Sequence, residues 1–144
     1  MTECIFCRIV RGEAPSRKVY EDEQTLAFLD SHPISPGHCL VIPKKHVVWY
    51  TDLTPTDAGP FSKAVYLVAR KLKKVLNAEY VSIAIRGTRV PHLHALLIPK
   101  LPGQDNIFDQ TMNLHHFFQE RQQPILINAE LDRIAERIRS SGSA

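Results

Sequence analysis

The segment Gly87-Thr88-Arg89-Val90-Pro91-His92-Leu93-His94-Ala95-Leu96-Leu97-Ile98-Pro99-Lys100 reads as a turn followed by a strand. Gly87-Thr88-Arg89 is the turn, and the apolar run from Val90 to Ile98 is a strand closed by Pro99. Side chains two apart on a strand point to one face, about 6–7 Å apart along the chain. His92 and His94 are therefore expected to face the same way, together with Val90 and Leu96. Two satisfied structural histidines would also fit the pattern, and Pro91 weakens a central-strand assignment while it tightens the chain just before the pair.

Upstream of this segment, Thr54 or Thr56 can cap a helix with Pro55 in its first turn. Phe61, Ala64, Val65, Val68, Leu72, Val75 and Leu76 recur at three- and four-residue steps, which predicts an amphipathic helix ending near Asn77. Tyr80 to Ile85 is a strand after it. Before it, Val19–Asp22, Thr25–Asp30 and Cys39–Ile42 read as strands, separated by an acidic turn and by His32-Pro33-Ile34-Ser35-Pro36-Gly37. Glu3–Arg11 allows one or two helical turns, and Asn128 can cap a final helix with Leu131, Ile134, Ala135 and Ile138 in one stripe. Strands, one long helix and then strands again predict an antiparallel α+β domain of about five strands, without the regular alternation of a doubly wound sheet.

The 144 residues suit one domain, residues 1–144, large enough for a core without disulfide staples. A net charge of +3 is too mild to argue nucleic-acid binding, and the basic face of the long helix is explained by solvation. Charged residues interrupt the N-terminal segment, so it does not resemble a signal peptide, and no run approaches a membrane span. Three cysteines suit a reducing compartment, and the expected location is cytoplasmic. Seven histidines are the unusual count.

Cys4-Ile5-Phe6-Cys7 has the spacing of a zinc clasp, which needs two more ligands from among Cys39 and the histidines. Two ordinary thiols near a terminus are the alternative. In Pro36-Gly37-His38-Cys39-Leu40-Val41-Ile42-Pro43-Lys44-Lys45-His46, a turn delivers His38 to the start of a strand and the strand delivers His46 past its end.

Taken together, these stretches resemble the histidine triad (HIT) superfamily, from Cys4 to Lys100. Ile5–Pro15 with Val19–Asp22 is similar to its opening, Ala27–Asp30 through Pro43-Lys44-Lys45-His46 to its hairpin, and Gly87–Lys100 to its His-φ-His-φ-His-φ-φ signature. The resemblance implies a HIT-like fold with a long central helix and a C-terminal helix, and a homodimer formed through that long helix and a neighbouring strand. It implies an enzyme that attacks the α-phosphorus of a purine nucleotide ester, anhydride or phosphoramidate through His94, with His38 beside it. Ile5, Phe6, Phe28 and Leu29 match the apolar cleft around the base, and Asp30 matches the acceptor of the ribose hydroxyls. Thr88 stands where many members carry glutamine, and its hydroxyl is expected to reach a phosphate oxygen. Zinc-containing branches match Cys4, Cys7, His46 and His92, a two-Cys, two-His structural set. The third triad position is Leu96, which has no donor, although one branch of the superfamily carries glutamine there. The alternative function is accordingly a catalytically weakened nucleotide-binding or sensor protein. Residues 101–144 are poorly covered by the resemblance, and Phe108, His115, His116, Phe117 and Phe118 are candidates for the pocket's rim.

Overall fold

A computed structural model describes residues 4–105, 110 and 128–140. The chain divides into two units, Met1–Ile107 and Phe108–Ala144. The rim candidates Phe108, His115, His116, Phe117 and Phe118 lie outside the described residues. Among the described residues of the second unit, a helix, α3, spans Asn128–Ser140.

The first unit opens with a short helix, α1 (Ile5–Val10), followed by β1 (Lys18–Glu21), β2 (Thr25–Leu29), β3 (Cys39–Pro43), the long helix α2 (Pro55–Leu76), β4 (Tyr80–Arg86) and β5 (His94–Lys100). The five strands form one sheet in the order β1-β2-β3-β5-β4, and every pairing is antiparallel. Strand alternation divides this sheet into two faces. Ala27, Cys39, Val41, Ala95 and Leu97 on one face pack against Phe61, Ala64, Val65, Val68 and Leu72 of α2 and form the core. Phe28, Leu40 and Leu96, paired across β2, β3 and β5, lie on the other face and line a cavity. No helix among the described residues is long and apolar enough to cross a membrane.

The caps of α2 are those its sequence calls for. Thr54 Oγ1 accepts the Asp57 N–H at 3.3 Å, Pro55 opens the helix, and Asn77 closes it in the left-handed region at φ 51°. Val75 departs from the expected stripe and is exposed, because in the last turn Leu76 takes the inward place against Gly37. At the tip of the β1–β2 hairpin, Asp22 accepts hydrogen bonds from the Gln24 and Thr25 N–H groups and from the Tyr20 and Thr25 hydroxyls. Burial pushes the Asp22 pKa upward, and those four donors outweigh it and hold the carboxyl below its ordinary value.

One boundary differs from the sequence reading. The fifth strand begins at His94, not at Val90. Pro91 has no N–H to give a ladder, and the His92 N–H turns back onto the Val90 carbonyl at 2.7 Å. The next N–H, of Leu93, goes to the Val47 carbonyl at 2.7 Å, so the segment before β5 crosses the chain that leaves β3. His92 therefore sits in a bend and His94 in the strand.

Two outcomes follow from this packing. A Cβ on Gly87 would run into the Val48 carbonyl, so Gly87→Ala should destabilise the protein by about 1–3 kcal/mol in urea unfolding. Because the Asp22 pKa is lower in the folded chain, its contribution is present above about pH 4 and is lost as pH falls through the folded value. Asp22→Asn should flatten the acid limb of a stability–pH curve in that window.

Candidate functional site

The cavity on the face of the sheet opposite α2 has a volume of about 600 Å³. Of the residues singled out in the sequence, Ile5, Phe6, Phe28, Leu29, Asp30, His38 and His94 line it, and Leu96 does too. Thr88 does not; it is exposed in the turn after β4. Phe6 is the hub of the apolar wall. Its ring lies edge-on at 5.5 Å from Phe28, 5.4 Å from His94 and 5.8 Å from His92.

His94 is buried, and its Nδ1 lies 2.7 Å from the His92 carbonyl oxygen. A carbonyl only accepts, so Nδ1 carries the proton and Nε2 keeps a lone pair. Burial lowers the His94 pKa most; the bond to His92 and the Asp30 charge oppose that shift, and Arg86 reinforces it. His38, at the entry to β3, shows the opposite tautomer. Its Nδ1 accepts the Ile34 N–H at 3.2 Å, which leaves the proton on Nε2. That Nε2 is buried and has no hydrogen-bond partner among the described residues. An unpaired buried donor in a cavity wall is costly unless a ligand acceptor meets it. Burial also lowers the His38 pKa, opposed by Asp30, whose Oδ2 lies 3.9 Å from Nδ1.

A second cluster adjoins the cavity. Cys4 caps α1 and Cys7 follows one turn later, so their thiols share a helix face. His46 leaves β3, and the bend before β5 brings in His92. One ligand atom from each lies within 4.8 Å of all the others. Cys4 Sγ and Cys7 Sγ lie 3.5 and 3.6 Å from His92 Nδ1, and Cys7 Sγ is 3.2 Å from His46 Nδ1. Zinc with bonds of about 2.3 Å to sulfur and about 2.0–2.1 Å to nitrogen puts such ligands ~3.6 Å apart at tetrahedral angles. The tautomer agrees with metal binding. His92 Nε2 donates to the Pro43 carbonyl at 2.9 Å, so Nδ1 presents its lone pair to the two sulfurs. The third thiol, Cys39, stays apart in the core, and burial pushes its pKa up to about 11.

The arginines of the cavity were not singled out by sequence reasoning. Arg17, Arg86 and Arg89 all line it. Arg86 precedes the turn and Arg89 belongs to it, but only the β4–β5 register shows that Arg86 stands directly opposite His94.

A model of the HIT domain matches residues 11–103. An uncharacterised HIT-like protein of Methanocaldococcus jannaschii is 38% identical over 108 residues, which are 72% of this chain and 84% of that protein. The adenylylsulfatase HINT3 of Arabidopsis thaliana is 32% identical over 103 residues, 68% of this chain and 52% of the plant protein. Among solved structures, a Zn-bound histidine triad family protein from Mycobacterium smegmatis superposes with a TM-score of 0.67 at 38% identity, over 72% of this chain and 78% of that one. The family match over most of the chain, the relatives' identity and the shared five-stranded fold agree, and the chain belongs to the histidine triad family.

Proposed function

We propose that this protein, as a nucleotide-binding member of its family, cleaves a nucleotide at its α-phosphorus through a covalent nucleotidyl-histidine on His94. The observation that carries this reading is the 2.7 Å bond from His94 Nδ1 to the His92 carbonyl, which leaves Nε2 as a bare lone pair in the cavity wall. In the first step Nε2 forms a bond to phosphorus and the leaving group departs; in the second, water displaces the nucleotide from Nε2. His38 donates its unpartnered Nε2–H to a phosphate oxygen. The wall of Ile5, Phe6, Phe28 and Leu29 takes a purine base, and Asp30 takes the ribose hydroxyls. Thr88, outside the cavity wall, has no role in this reading.

Cys4, Cys7, His46 and His92 would hold a zinc ion, which supplies a structural cross-link and no reactive position, because all four ligands come from protein. Location in the cytoplasm fits a site with two thiols kept reduced. A homodimer would form through the exposed faces of β4 and α2, where Ile83, Ile85, Tyr66 and Val75 are exposed beside an edge strand. The second reading, a weakened nucleotide sensor, is favoured by Leu96, an apolar side chain in the cavity two residues from His94.

Mass spectrometry of enzyme quenched during turnover of adenylylated substrates should find a nucleotidyl adduct on a His94 peptide, and His94→Ala should lose it with at least about a 10³-fold fall in kcat. Nucleotide binding without adduct or turnover would favour the sensor. Metal analysis of protein purified without added zinc should give close to one zinc per chain. Chelation or Cys7→Ser should lower the melting temperature, and a native stoichiometry near zero would remove the metal from the reading.

A further inference from the structure

Resting on the nucleotidyl-transfer reading above, we infer that this site selects substrates whose leaving group departs as an anion, and that Arg86 is the residue that receives its charge. Two cross-strand pairs carry the inference. In the β4–β5 ladder Arg86 pairs with His94, and Ala84 pairs with Leu96. Residues directly opposite on antiparallel strands share a face, with Cβ atoms about 4.5–5.5 Å apart. The Arg86 side chain thus starts directly beside the nucleophile and lines the same cavity. It has no carboxylate partner among the described residues, and its field reaches both His38 and His94.

Leu96 is the next side chain after His94 on the cavity face of β5, so the strand puts no proton donor beside the nucleophile. It is buried between Leu40 on β3 and Ala84 on β4, with no donor to offer. The cation opposite His94 is Arg86, and an arginine serves as a charge and not as an acid. The pair Leu96 and Arg86 therefore provides fixed positive charge and no acid. An amine cannot leave without a proton, whereas a sulfate, phosphate or carboxylate can. The balanced step is simple. The lone pair of His94 Nε2 forms the N–P bond, the P–O bond to the leaving group breaks with its pair on oxygen, no proton moves, and Arg86 binds the departing anion. Water then attacks phosphorus, the P–N pair returns to Nε2, and the proton of water passes to solvent. Mixed anhydrides of a nucleoside monophosphate are the substrate class, and phosphoramidates are not.

The test is a series with one nucleoside 5′-phosphoryl group and leaving groups running from sulfate and phosphate through substituted phenols to an alkylamine. Single-turnover labelling of His94 is read alongside kcat/KM. The expected rate falls steeply with leaving-group basicity, and the amine compound reacts at least about 100-fold more slowly than the anhydride. Arg86→Ala should slow the anhydride about 10²–10³-fold and the amine compound by a much smaller factor, and Arg86→Lys should recover part of the loss. Arg86 is exposed on an edge strand, so both variants should fold, and circular dichroism checks this. Equal rates for amine and anhydride, or a loss in Arg86→Ala that is uniform across the series, overturns the inference while the nucleotidyl-transfer reading stands. No labelling of His94 by any compound overturns that reading as well.

Discussion

His92 ties the parts of this molecule together by using every polar group it has. Its Nε2–H goes to the Pro43 carbonyl, its Nδ1 faces the Cys4 and Cys7 sulfurs, and its own carbonyl accepts the Nδ1–H of His94. Its N–H closes the tight bend that Pro91 makes unavoidable. A single residue therefore joins the N-terminal helix, the end of β3 and the start of β5. It also sets the tautomer of His94. Displacement of the N-terminal cysteines would reach the cavity through this one side chain, and Phe6, in contact with both His92 and His94, would carry the same disturbance through packing.

The sheet performs two tasks on its two faces. One face is spent on the α2 core, where small and branched residues of β2, β3 and β5 meet the helix. The other carries larger side chains, Phe28, Leu40 and Leu96, that line a cavity. Strand alternation makes this division automatic. Ala95 and Leu97 must point into the core if His94 and Leu96 point into the cavity. The chemistry of the site and the stability of the fold are thus written on alternate residues of the same strand.

Most of the architecture was legible because its signals are local. The three- and four-residue spacing from Phe61 to Leu72, with Thr54, Pro55 and Asn77 at its ends, specifies α2, and Pro43 and Gly37 bound β3. The apolar run at Val90 misled for an equally local reason, since hydrophobicity continues through Pro91 although hydrogen bonding does not. The four-ligand cluster joins residues up to 88 positions apart, and it was recognised through a resemblance, because spacing alone left Cys39 and other histidines open. Arg86 could not be found either way. Its importance comes from cross-strand register with His94, and register is a property of the folded pair. Thr88 is the converse, a residue within the right turn that does not line the cavity.

Cys39 has a further consequence. It is wholly buried against α2, and its thiol is pushed up to about 11, so at neutral pH it offers neither access nor thiolate to a reagent. The native chain therefore carries one silent sulfur and two that belong to the Cys4–Cys7 pair. A thiol-reactive dye added without denaturant reads out that pair alone. The folded protein thereby carries its own reporter of how accessible the Cys4–Cys7 pair is, with no substrate or engineered cysteine required.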